Sequence, residues 1–113
     1  MRTRTDEIQG VRVLSCEGTM MLGGGADELD EAFARALRVA GSGIVLDLTR
    51  LAYLDSAGIG AVVACSKKAS AAGSIMKIAL APTGPVRKIF ELTQLERGFE
   101  VFDDVASAAA SFT

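Results

Sequence analysis

Apolar and polar positions along this chain change period several times, and each change marks an element. Val11-Arg12-Val13-Leu14-Ser15-Cys16 is rich in β-branched and apolar residues and predicts a strand. Gln9-Gly10 before it predicts a turn from a short first strand near Arg4 to Ile8, which gives an edge hairpin. The next segment, Thr19-Met20-Met21-Leu22-Gly23-Gly24-Gly25, ends the strand, because three successive glycines admit backbone conformations closed to other residues. From about Ala26 to Ala40 the period becomes helical, with Leu29, Phe33, Ala36, Leu37 and Ala40 on one stripe. Asp27, Glu28, Asp30 and Glu31 crowd the first turns, where the helix dipole favours negative charge. Gly41-Ser42-Gly43 is expected to end that helix.

Ile44-Val45-Leu46-Asp47-Leu48 is almost continuously apolar, as expected of a parallel strand covered on both faces. The chain is then expected to cross Thr49–Leu54 as a connection, start a second helix at Asp55-Ser56, run from about Ala57 to Ala72 and close at Gly73. Ile75–Leu80 predicts the next strand. Pro82-Thr83-Gly84 predicts a loop, and Pro85 suits the first position of a third helix with Val86, Ile89, Phe90 and Leu92 as its apolar stripe. Phe99–Phe102 predicts a last short strand, after which Asp103-Asp104 caps a terminal helix through Ala110. Two strands followed by α-β-α-β-α-β-α predict an α/β fold: a mixed, mostly parallel sheet with about four helices, in a single domain spanning residues 1–113. No internal repeat or low-complexity linker interrupts it.

Composition narrows the function. Half of the 113 residues are apolar and mean hydropathy is +0.33, enough for a packed core built from Ala, Val, Leu and Ile, since aromatics are only 5%. The net charge is −2 and the basic residues are scattered, so no basic stripe is available for nucleic acid. The polar N-terminus lacks an apolar signal core, and the longest mainly apolar stretch, Ile59–Cys65, is far short of a membrane span. The expectation is a soluble, cytoplasmic protein without membrane insertion. Cys16 and Cys65 share no metal-type spacing and fall in a strand and a helix, so they read as small buried hydrophobes.

Histidine is absent. That removes Ser-His-Asp and Cys-His nucleophiles and all histidine-based metal sites. There is no Walker-type phosphate loop, and Leu54-Asp55-Ser56-Ala57-Gly58 lacks the first glycine of a nucleophile elbow. Gly58-Ile59-Gly60 opens like a dinucleotide fingerprint, but Val63 replaces the third glycine and Lys77 stands near the place of the ribose-binding acid. No catalytic residue, metal or cofactor is therefore expected. What remains is Ser56, placed to cap a helix with its hydroxyl at the carboxyl edge of a parallel sheet, where ligands and partners bind.

Ile44-Val45-Leu46-Asp47-Leu48-Thr49, then Tyr53-Leu54-Asp55-Ser56-Ala57-Gly58-Ile59-Gly60, resembles the core signature of STAS domains, and of bacterial anti-sigma-factor antagonists in particular. Pro85–Leu95 followed by Phe99–Phe102 is similar to that family's C-terminal section. The resemblance implies a non-enzymatic partner-switching protein, a monomer or weak homodimer. Its protein partner would be an anti-sigma factor with serine kinase activity, which phosphorylates Ser56 and is thereby released, so that sigma-factor-dependent transcription is regulated. Two differences stand out: Ala57 replaces the second serine of many members, and the loop after the second strand carries no acid before Asp27. These differences suit an alternative, a phosphorylation-independent STAS scaffold or regulatory subunit of a stressosome or a lipid-transport ABC complex. In both cases the expected partner-binding surface joins Met20, Met21, Leu22, Gly23 and Gly24 with Asp55, Ala57, Gly58, Ile59 and Gly60 and with Thr83, the methionines and leucine serving as partly exposed, adaptable apolar contacts.

Overall fold

In the computed structural model, which describes residues 1–39, 41 and 43–113, a single sheet runs in the strand order β1-β2-β3-β4-β5. β1 (Arg2–Ile8) and β2 (Val11–Met20) are antiparallel. Gln9 and Gly10 join them with φ of 53° and 78°, the twist that a two-residue hairpin loop requires. β3 (Gly43–Leu54), β4 (Ile75–Ala79) and β5 (Val101–Phe102) add in parallel. Parallel neighbours need crossovers, here α1 (Ala26–Leu37), α2 (Ser56–Ala71) and α3 (Pro85–Leu92). A short α4 (Val105–Ala110) ends the chain, its first turn capped by the Asp104 carboxylate accepting from Ser107 N–H. The expected α/β alternation is the fold. α1 stops at Leu37; Ala40 and Ser42, where the helix and its closing turn were expected, lie outside the described residues.

The two sheet faces carry separate cores. On one, Leu29 and Phe33 of α1, Val62 and Cys65 of α2, and Val86 and Phe90 of α3 pack on Leu14, Ile44, Leu46 and Leu48. On the other, Ala108 and Ala109 of α4 lie on Val11, Val13, Val45 and Ala79. β3 is thus covered on both faces, and Ile44–Leu48 are all buried. Both cysteines are free and buried, and burial pushes each thiol up to about 12, so neither is a nucleophile at neutral pH.

Two charged residues are buried among the described residues, and both are held by polar contacts. Asp47 accepts from Ser15 Oγ at 2.9 Å, Thr49 N–H at 3.0 Å and Thr49 Oγ1 at 2.6 Å. Lys77 donates to Ser111 Oγ at 2.9 Å and lies 4.3 Å from the centre of the Phe112 ring, which ties the end of the chain to β4.

Three expectations are corrected. Thr49–Leu54 is not a connection: β3 continues through it because β2 stays paired alongside, Glu17 with Arg50 and Met20 with Leu54, past two register irregularities. Met20 is not a surface residue; as the last residue of β2 it is fully buried. Leu92 leaves the α3 stripe and stands 72% exposed, while Phe90 is fully buried. Phe90→Ala is therefore expected to cost about 3–5 kcal/mol in urea unfolding, and Leu92→Ala to stay within about 0.5 kcal/mol of the parent.

Candidate functional site

The carboxyl ends of β2 and β3 meet where Met20 pairs with Leu54. From Met20 the chain enters a tight turn: Met21 N–H donates to Gly24 O at 2.7 Å and Gly24 N–H to Met21 O at 3.0 Å. Gly23 sits in the turn at φ 76°, a left-handed conformation glycine adopts without strain. Leu22, at the tip, is 83% exposed. Gly25 then starts α1 at φ 107°, with Thr19 O only 2.3 Å from where a Cβ would stand.

From Leu54 the chain enters α2, and Asp55, not Ser56, caps it. This corrects the cap expected of the serine. The Asp55 Oδ1 atom accepts from Gly58 N–H at 3.0 Å, and Oδ2 accepts from Leu22 N–H at 3.0 Å. Asp55 N–H donates in turn to Met20 O at 3.3 Å. Gly58 lies so close to β2 that a Cβ there would be 2.2 Å from Met20 O. The leading contacts on the Asp55 carboxyl, Leu22 N–H first and Gly58 N–H second, hold it below its usual 3.8.

Relieved of capping, Ser56 is the first residue of α2, exposed, and its hydroxyl has no hydrogen-bond partner among the described residues. Ala57 and Ile59 are half-buried, Ile59 against the main core, and Gly60 is exposed with open space around it. The structure therefore joins the Met21–Gly24 turn to Asp55–Gly60. It does not join Thr83 to them by any hydrogen bond among the described residues. β3 pairs with β4 as far as Asp47 opposite Ala79 and runs on alone to Leu54, and the Pro82-Thr83-Gly84 loop beyond β4 is exposed. The loop has its own support, which the sequence reading missed: Arg87 donates to Leu80 O and Ala81 O and pairs with Asp103 at 2.7 Å.

Among the described residues no group of three His, Cys, Asp or Glu side chains converges, and no helix is long and apolar enough to cross a membrane. The edge thus presents an exposed hydroxyl at a braced helix start and an exposed leucine on the adjoining turn.

Residues 2–108 match the STAS domain family. The chain belongs to that family. Across 113 residues the STAS domain is 29% identical to a Bordetella bronchiseptica protein named as an anti-sigma factor antagonist, BtrV, over 99% of this chain and 95% of that one. Its fold is similar to the crystal structure of an anti-sigma factor antagonist from Mycobacterium paratuberculosis, 21% identical with a TM-score of 0.82, covering 97% and 92% of the two chains. It is also similar to the Bacillus cell fate determinant SpoIIAA in its phosphorylated form, 18% identical with a TM-score of 0.66, covering 97% of each.

The two glycines of the STAS signature here have opposite roles, which substitution separates. Gly58→Ala forces a Cβ against Met20 O and is expected to cost at least about 2–3 kcal/mol. Gly60→Ala meets nothing and is expected to stabilise the helix by about 0.5–1 kcal/mol, read from urea midpoints. Because the Asp55 carboxyl is lowered in the folded state, its contribution is present above its unfolded value and lost as pH falls through the folded one. The stability gap between wild type and Asp55→Ala should hold at neutral pH and close in acid.

Proposed function

We propose that this STAS domain is an anti-sigma factor antagonist whose docking edge is the Met21–Gly24 turn with Asp55–Gly60, flanked by Thr83, and that phosphorylation of Ser56 by a serine-kinase anti-sigma factor releases it. The observation that carries the reading is the Ser56 hydroxyl: exposed, without a hydrogen-bond partner among the described residues, at the first position of a helix whose capping is done by its neighbour. Such a hydroxyl is open to a kinase, since no cap has to be released for the kinase to reach it. In the transfer, Ser56 Oγ bonds to the γ-phosphorus of the kinase's ATP, ADP leaves, and the hydroxyl proton passes to a base of the kinase. The product adds about −1.5 to −2 charges beside the Asp55 carboxylate. Desolvating that charge unpaired in a protein contact costs several kcal/mol, enough to abolish micromolar binding. The name of the Bordetella relative and the phosphorylated form of SpoIIAA point the same way.

Ala57 and the acid-free Met20–Gly24 loop favour a second reading, a regulatory subunit that docks through the same edge and is never phosphorylated. Intact-mass measurement after incubation with the serine-kinase anti-sigma factor and ATP separates the two. One added phosphate, absent in Ser56→Ala, supports switching, together with a loss of affinity of at least about tenfold, or about 1.4 kcal/mol, in Ser56→Asp. An unmodified Ser56 with full affinity in Ser56→Asp contradicts it.

A further inference from the structure

We propose that Asp55 is a clasp on the docking edge, and that a phosphoryl group on Ser56 opens it, freeing the Met21–Gly24 turn. This rests on reading Ser56 as the phosphoacceptor. The carboxylate serves two segments at once, Oδ1 holding Gly58 N–H of α2 and Oδ2 holding Leu22 N–H of the turn. Among the described residues no other side chain bonds to residues 21–24. The turn closes on itself through Met21 and Gly24, but its tip has no packing to hold it, since the Leu22 side chain is in solvent and Gly23 has none. Asp55 is thus the positioning residue that presents Leu22 as a fixed apolar knob next to Ser56.

The clasp is sensitive to charge at the next residue. Asp55 and Ser56 are consecutive, and Asp55 has no ion-pair partner among the described residues. A phosphoryl group on Ser56 puts like charge beside a carboxylate that has no cation paired to it among the described residues. Both oxygens sit on one carboxyl, so turning it away from Ser56 breaks the Gly58 and Leu22 bonds together. The edge then changes from a rigid surface to one whose turn must be ordered again before docking, which adds an entropic cost to the charge itself.

The test uses the full chain with phosphoserine installed at position 56 during translation, so no kinase is needed, and reads backbone amide order parameters by NMR. In the unmodified protein Leu22 and Gly23 should lie in the rigid range near about 0.85, and in the phosphoprotein both should fall below about 0.6, with β3 amides unchanged. Asp55→Asn isolates the clasp from the cap: asparagine keeps one accepting oxygen for Gly58 but cannot accept a second N–H at Leu22, so the turn should loosen without phosphate while the helix start stays ordered. Ser56→Ala should leave the turn rigid. A rigid turn in the phosphoprotein, or in Asp55→Asn, overturns the proposal. If kinase incubation never modifies Ser56 while installed phosphoserine loosens the turn, the clasp stands and the phosphoacceptor reading falls.

Discussion

Beyond Ser15 and Asp47 the ladder between β2 and β3 passes two register irregularities and still reaches Met20 opposite Leu54. The geometry of the carboxyl edge follows from that extension. It carries the end of β2 alongside the start of α2, so that Met20 O accepts from Asp55 N–H and also leaves no room for a Cβ at Gly58. With the two backbones held this close, one carboxylate reaches a helix amide and a turn amide together. Shortening either strand by a residue would invert the faces of its side chains, sending Met20 or Leu54 into solvent and removing the floor on which the turn rests.

The rest of the molecule keeps that edge free of other duties. The main core lies under α1, α2 and α3, and the smaller one under α4 on the opposite face. The buried charges are used structurally and away from Ser56: Asp47 is saturated by Ser15 and Thr49, and Lys77 fastens the C-terminal residues to β4. Arg2, Arg4 and Arg50 stand on the uncovered part of the sheet in mixed pairs with Glu17 and Asp6, exposed contacts of small net energy. The cysteines are sealed in the core. A rigid α/β frame with one braced, polar and apolar tip is the physical form that the proposed docking role requires.

How much of this could be read in advance depended on whether the deciding partner was near in sequence. The α1 stripe, the buried half of β3, the Gln9-Gly10 hairpin and the Asp104 cap are set by local period and turn chemistry, and they were legible. The second half of β3 was not, because Thr49-Arg50-Leu51-Ala52-Tyr53 loses its alternation at the irregularities and looks like a connection; only β2 alongside keeps it a strand. Which of Met20, Met21 and Leu22 faces inward depends on strand phase at the last residue, so Met20 is core and Leu22 is exposed. Asp55 and Ser56 are both good caps. Choosing between them needs the Leu22 amide, a partner that no local pattern reveals. The family signature pointed to this edge, while the division of labour inside it emerged from the three-dimensional contacts.

The central claim is that partners engage this domain through the carboxyl edge. The direct measurement is an amide chemical-shift titration of the isotope-labelled chain with the proposed partner, a serine-kinase anti-sigma factor. Perturbations are expected to centre on Met21–Gly24 and Ser56–Gly60 and extend to Thr83, with Arg2, Arg4 and Arg50 unchanged, as well as a shallow groove between α1 and α2 lined by Leu37 and Lys68. A footprint on the arginine-bearing sheet face or on that groove, with the carboxyl edge silent, would contradict it.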